Sequence, residues 1–354
     1  MDGDFYIDLS QLDKIQTDII INYFHDNEIV KGSAGTGKSL IALHKIAFVP
    51  KGKTFALVVF TRSLKKYFED GFQALGINED NVYYRDEWFK SPRHVNYIFV
   101  DECQDFNHDD IESFKSNADI CFFFGDSDQT IMDFMKPTQT VEQTAKDLSR
   151  YPHILTVNYR LTPPIAALAE YVARKQPGEL IQTCNKNGGD KPYIYKCNTI
   201  DAQLDKIIEI VRNRKLTRVG ILVPYNTNSK AYYSPDNKQY LSVEYVENYM
   251  MSHGMPVEVK ENSNLGNTMT IDFHTDFPKV LVFHSAKGLQ FNDIFIPFCE
   301  TVYKDGDYKR KQQYVAVTRA WNRLYLLYTG KLNTDVFPPI DSGLYTLPST
   351  VSNI

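Results

Sequence analysis

Gly32-Ser33-Ala34-Gly35-Thr36-Gly37-Lys38-Ser39 is the stretch that decides how the rest of the chain is read. It has the spacing G-x-x-x-x-G-K-[ST] of a phosphate-binding loop (P-loop). Glu28-Ile29-Val30 before it reads as the end of a buried strand, and Leu40 to Ala47 after it as a helix. Glycines let the backbone turn so that successive N–H groups face one anion, and the helix N-terminus adds partial positive charge. In that setting Lys38 reaches the β- and γ-phosphates of a nucleoside triphosphate, and the Ser39 hydroxyl becomes a Mg²⁺ ligand. Nucleotide binding along residues 32–39 is the expectation.

A length of 354 residues suits two or three compact domains. Hydrophobic content of 43% and charged content of 23% are those of an ordinary globular chain, so neither a fibrous nor a disordered class fits. The 22 Phe and 23 Tyr predict aromatic-rich cores with some rings left for ligands. A net charge of −5 does not advertise a nucleic-acid binder, although an acidic chain can still carry a basic groove. Cys103, Cys121, Cys184, Cys197 and Cys299 are scattered and contain no C-x-x-C pair, which argues against a zinc site or a disulfide framework. The first residues lack an apolar leader core and no run approaches 18 apolar residues. A cytoplasmic protein with no membrane partner is expected.

In chain order, Asp13 to Phe24 has helical spacing of Ile15, Ile19, Ile20 and Tyr23. Phe55 to Phe60, Val95 to Val100 and Ile120 to Phe124 are apolar runs of strand length, suited to a parallel sheet covered on both faces. Ser63 to Leu75 reads as a helix between the first two. The alternation then repeats, with strands at 153–157, 220–224, 280–283, 294–298 and 324–328, and helices at 163–174, 201–214 and 242–251. This predicts two α/β units, residues 1–152 and 153–332, each a mainly parallel sheet flanked by helices, with 333–354 as an extended tail.

Two strand ends carry further chemistry. Ile98-Phe99-Val100-Asp101-Glu102 puts two carboxylates where ligands of open α/β sheets sit. Asp101 is the candidate Mg²⁺ ligand, and Glu102 the group that polarises an attacking water. Gly125-Asp126-Ser127-Asp128-Gln129 closes the next strand, and Gln129 is a candidate sensor of the γ-phosphate.

Together these motifs resemble the UvrD/Rep-type superfamily 1 helicases, in order over most of residues 9–329. Gln16 resembles the glutamine that reads adenine. Phe60-Thr61-Arg62 is similar to the motif that contacts the nucleic-acid strand, and Val100 to Asp105 to the Mg²⁺/water motif. Asn158-Tyr159-Arg160 resembles the motif whose Tyr stacks on the base and whose Arg touches the γ-phosphate. His284 to Phe291 resembles the motif joining nucleic acid to the ribose, which adds Gly288 and Gln290 to the nucleotide set. Tyr314 to Ala320 is similar to the final motif, whose arginine, here Arg319, acts as a finger in cis.

The resemblance implies two RecA-like P-loop domains with ATP bound between them, and hydrolysis with Mg²⁺. Lys38, Glu102, Gln129, Arg160 and Arg319 are then the catalytic set. Finger arginines are worth on the order of 10³–10⁵ in rate. The implied partner is single-stranded nucleic acid, DNA favoured over RNA, held by Phe60, Thr61, Arg62, Phe134 and His284. The two Phe rings read equally well as core residues. Leu40 stands where the family often has an adenine-stacking Arg, and Gln290 where it has Glu.

Only residues 63–97 fill the first interval in which family members insert an accessory domain, which implies a near-bare motor. Two functions follow from these features. One is an ATP-dependent single-strand translocase or helicase. The other is an ATP-switched regulatory subunit controlling a partner such as a nuclease. A small-molecule kinase would leave the second α/β unit and its arginines unexplained.

Overall fold

The computed structural model describes residues 7–22, 24–130, 137–226, 241–259, 271–302 and 306–347. The chain divides into two compact units, the first ending at Tyr159 and the second beginning at Arg160.

Unit 1 runs α1 (Lys14–Ile21), β1 (Glu28–Gly32), α2 (Lys38–Ala47), β2 (Phe55–Val59), α3 (Arg62–Tyr67), α4 (Glu69–Leu75), β3 (Val82–Tyr84), α5 (Arg85–Lys90), β4 (Val95–Val100), α6 (His108–Ser116), β5 (Ala118–Gly125), α7 (Val141–Asp147) and β6 (His153–Leu155). Among the described residues its six strands lie in the order β3-β2-β4-β5-β1-β6, every pair parallel. The two-residue period of the strands divides their apolar side chains between two cores. Leu57, Val59, Phe99, Phe122 and Phe124 point to the side covered by α1, α2 and α4. Ala56, Val58, Ile98, Val100 and Phe123 face the opposite side, with Trp88 of α5, Ile111 and Phe114 of α6, and Val141 of α7. Burial on both faces is why these strands read as unbroken apolar runs. Much of the aromatic content sits here, as in the Phe99–Phe122 stack with ring centres 4.8 Å apart.

Unit 2 contains α8 (Pro163–Ala173), β7 (Tyr193–Cys197), α9 (Ile200–Asn213), β8 (Val219–Val223), α10 (Val243–Ser252), β9 (Glu258–Val259), β10 (Lys279–Val282), β11 (Phe291–Ile296), α11 (Gly306–Val317) and β12 (Ala320–Thr329). Its six described strands follow the order β7-β12-β11-β8-β10-β9, again all parallel. Helix α9 starts at a Thr199 cap and buries Leu204, Ile207, Ile208 and Val211, an i, i+3, i+4, i+7 stripe against the sheet. Pro163 opens α8 at a position where its missing N–H costs nothing. Both units are thus RecA-like α/β layers.

Three boundaries differ from the sequence expectation. His153–Leu155 hydrogen-bonds along β1, in register Val30↔His153 to Gly32↔Leu155, so it closes the first sheet and does not open the second. The boundary accordingly falls after 159, not 152. Ser63 to Leu75 forms two helices that meet at Phe68. Of the stretch expected as a tail, residues 333–346 pack into unit 2: Phe337 and Tyr345 are buried, Asn333 Nδ2 donates to Thr301 O (2.7 Å), and Thr346 bridges to Tyr193.

Candidate active site

Gly32 ends β1 and Gly37 caps α2, so the eight-residue loop is held at both ends by regular structure. Gly35 and Gly37 have φ of 83° and 85°, a left-handed backbone that glycine adopts without strain. A Cβ on Gly32 would fall 2.3 Å from Thr36 Oγ1, so a side chain there would break the curl. Lys38 Nζ arches over the loop and donates to Gly32 O (2.8 Å) and Ser33 O (3.2 Å).

Neighbouring elements brace the loop from outside. Gln16 Nε2 donates to Thr36 O (3.0 Å), while its Oε1 accepts from Asp13 N (3.1 Å) in the capping box of α1. Asn158 Nδ2 donates to Ala34 O (2.7 Å), and Tyr159 N to Gly35 O (2.9 Å). The Tyr159 hydroxyl bonds the Asp13 carboxylate, and burial with that contact raises its pKa. The addition of β6 to the first sheet is what carries Asn158 and Tyr159 to these positions.

At the next strand ends, Ser39 Oγ donates to Asp101 Oδ2 (2.6 Å), which brings the two candidate Mg²⁺ ligands together. Asp101 is fully buried, and burial, then the Glu102 charge, push its carboxyl up to about 7. Glu102 sits at φ 53°, a left-handed conformation rare outside glycine, and is 5% exposed. From it runs a row the sequence reading did not assemble. Gln104 Nε2 donates to Glu102 Oε2 (2.6 Å), and Gln104 Oε1 accepts from Asp126 N (2.9 Å). Asp126 Oδ2 in turn accepts from Gln129 Nε2 (2.6 Å). Burial raises the Asp126 carboxyl as well. The available signal for Asp126 was its place after the apolar run of β5, matching Asp101 after β4.

The donor set fits a magnesium–nucleotide group. A hydroxyl and a carboxylate 2.6 Å apart supply two hard oxygen ligands of the kind Mg²⁺ takes alongside water and phosphate. The raised Asp101 carboxyl would regain its charge against a divalent cation.

The strand-contacting candidates of unit 1 have structural work of their own. Phe60 is half-buried and meets Phe106 edge-on (5.2 Å). Thr61 Oγ1 accepts from Leu64 N (3.1 Å) as the cap of α3. The Arg62 guanidinium lies 4.4 Å over the Tyr84 ring and bonds its hydroxyl. Phe134 lies outside the described residues.

Unit 2 gathers a separate group. Arg160, half-buried, donates from Nε to Gln290 Oε1 (3.0 Å) and from Nη1 to Thr318 O (3.2 Å). Arg319 is 2% exposed, and its guanidinium donates to Val315 O, Leu289 O and Thr318 Oγ1 at 3.0–3.3 Å. His284 lies half-buried in a short 3₁₀ turn, and Gly288 after it has φ 79°.

No protein-family model matches the chain, and no curated protein does. Among solved structures it is similar to the C-terminal domain of a possible DNA helicase from Lactobacillus plantarum WCFS1, at 17% identity and TM-score 0.38 over 53% of this chain and 98% of that one. It is also similar to arterivirus nonstructural protein 10, a helicase solved with DNA, at 14% identity and TM-score 0.44 over 93% of this chain and 64% of that one. The PRRSV helicase gives 12% identity and TM-score 0.45 over 89% of this chain and 54% of that one. The chain therefore spans less than two thirds of both viral chains. Likeness of this degree leaves function to the residues themselves. Among the described residues no helix is long and apolar enough to cross a membrane.

Proposed function

We propose that this chain is a Mg²⁺-dependent ATPase of the UvrD/Rep superfamily 1 type, driving movement along single-stranded nucleic acid. The observation that carries the reading is the Ser39–Asp101 hydrogen bond beside Lys38 and Glu102. A glycine loop alone is a common turn. A loop whose Ser meets the first carboxylate of an Asp-Glu pair at the end of another strand of the same sheet is a site for a metal-bound phosphate.

In this reading the backbone N–H groups of residues 33–38 and Lys38 hold the β- and γ-phosphates. Mg²⁺, on Ser39 and Asp101, would supply charge neutralisation on the phosphate oxygens. Glu102, steadied by Gln104, orients the attacking water and accepts its proton. Gln16 supports the base, and Gln129 bonds Asp126 in the row that ends at Glu102, where a change at the γ-phosphate would reach it. Arg160 and Arg319 supply positive charge to the transferring phosphoryl group, and Gly288 and Gln290 serve the sugar. Phe60, Thr61, Arg62 and His284 serve the strand, DNA before RNA.

A second reading has an observation of its own. Residues 62–90 form α3, α4, β3 and α5, all layers of unit 1 itself. That interval therefore holds no accessory surface for parting a duplex, which favours a switch acting through a partner such as a nuclease.

Steady-state ATP hydrolysis with Mg²⁺, with and without single-stranded DNA and RNA, separates the two. Strong stimulation by one polymer, lost in Glu102→Gln, is the result expected of a motor. Hydrolysis indifferent to both polymers would favour the switch, and no Mg²⁺-dependent hydrolysis at all would overturn both.

A further inference from the structure

The Arg160 end of unit 2 carries a second cation that the motifs do not include. Lys186 donates its Nζ to Trp321 O (2.7 Å), and the same ammonium lies 3.5 Å from the centre of the Trp321 ring. Arg160 bonds the carbonyl of Thr318, three residues earlier. Two cations from distant parts of the sequence are thus fastened to one stretch, 318–321.

The loop that brings Lys186 there is pinned by Gly189. A Cβ at that glycine would lie 2.6 Å from Thr162 Cβ, so only glycine lets residues 183–190 close down beside the Arg160 segment. Gly189 has φ 109°, which a larger residue would rarely adopt.

The ionisable groups that bear most on Lys186 are Arg160, a like charge, and the Cys184 thiol. Burial, then Arg160, push the ammonium down to about 7. Holding two cations together in a half-buried place costs free energy that an entering anion recovers. Trp321, half-buried, gives Lys186 a resting surface through a cation–π contact.

We propose that Arg160 and Lys186 form an anion site within unit 2 that takes the phosphates of the nucleotide. Lys186 leaves the Trp321 ring for the anion as it binds. The assignment to nucleotide phosphate rests on the ATPase reading. The backbone phosphate of a nucleic-acid strand offers the same chemistry, and the experiment separates these sources.

The full-length chain is used in a Lys38→Ala background, which disables the phosphate loop. Tripolyphosphate is titrated while tryptophan emission is followed; the other tryptophan, Trp88, is fully buried in unit 1. A saturable change is expected, retained with Lys186→Arg and lost with Lys186→Gln. With Lys38 restored, Lys186→Gln should raise the KM for MgATP by about tenfold, from the loss of one charge-assisted contact, while kcat changes much less. Lys186→Arg should restore KM, which a loss of packing would not allow.

An emission that ignores tripolyphosphate, or a KM unmoved in Lys186→Gln, overturns the proposal. A fall in oligothymidine affinity with KM unchanged overturns the nucleotide assignment in favour of the strand. A Lys186-dependent tripolyphosphate response in a chain without ATPase activity upholds the anion site and removes the ATPase reading alone.

Discussion

Among the described residues the two units share a plan of six parallel strands between helices, yet unit 1 sets acids just after β4 and β5 while unit 2 sets cations around the stretch that opens β12. Unit 1 lines up Asp101, Glu102 and Asp126, held by hydroxyl and amide donors from Ser39, Gln104 and Gln129. Unit 2 gathers Arg160, Lys186 and Arg319, held largely on backbone carbonyls. The first set is a buried row of acids, and burial opposes the ionisation of Asp101 and Asp126. The second includes like charges in mutual repulsion. On the proposed reading each would be balanced by a ligand of opposite sign, a cation for the acids and an anion for the bases. The same sheet plan thus carries acids in one unit and bases in the other, and residues outside the apolar runs of the strands decide which.

The hardest test of unit 1's share removes its central groups. Lys38→Ala and Glu102→Gln should each lower ATP turnover by at least about 10³-fold, since both act on charge that develops only as the bond breaks. Glu102→Gln should still bind nucleotide, as a filter-binding or fluorescence titration would reveal. Near-normal turnover in either variant would detach the acid row from the chemistry.

In unit 2 the comparison sharpens between two arginines. Arg160 is half-buried, and Arg160→Ala should lower turnover by about 10³-fold with little change in melting temperature. Arg319 already satisfies two backbone carbonyls and a hydroxyl inside the unit. Arg319→Ala strands those acceptors and should cost roughly 2–4 kcal/mol in stability besides its effect on rate. Urea unfolding beside steady-state kinetics would show the split. Equal stability of the two variants would contradict the different burial of the two side chains.

The acid row also predicts a pH dependence. Folded Asp101 keeps its proton up to about 7, against an ordinary value of 3.8. Between those values the folded chain binds a proton that the unfolded chain has released, so stability falls as pH rises through the window. Asp101→Asn should remove that part of the slope. Mg²⁺ should stabilise wild type more at about pH 8 than at about pH 5, because it takes the ionised carboxylate. Thermal melts of both proteins across this range would check it. Parallel curves for wild type and variant would place Asp101 outside the titration.

How much of this was readable in advance depended on distance along the chain. Strands such as Val95–Val100 announced themselves because burial on both faces made them continuously apolar. Val82–Tyr84 and Glu258–Val259 are too short to show any period, and α5 buries only Trp88 of its six residues. The sheet that His153–Leu155 joins depends on the free edge of β1, which no local pattern encodes. Lys38, Ser39, Asp101 and Glu102 stood out as candidates because local spacing singles them out. The Glu102–Gln104–Asp126 row spans 22 residues between its amide and its second acid, and Lys186 meets Trp321 across 135. Such pairs exist only once the chain has folded.

The smallest expected effect concerns Thr61, where the same side chain has two claims on it. As the cap of α3 its hydroxyl takes Leu64 N–H, and losing a cap costs about 1 kcal/mol. As a strand contact it would offer the same hydroxyl to a phosphate. Thr61→Ser keeps the hydroxyl for both and should match wild type in stability and in single-strand affinity. Thr61→Ala should lose the cap, and Thr61→Asp should restore it while setting a negative charge against any phosphate. If Thr61→Asp recovers stability but binds oligonucleotide more weakly than Thr61→Ala, the strand passes this point. Equal binding by both variants would leave Thr61 as a helix cap alone and confine the strand's grip to other residues.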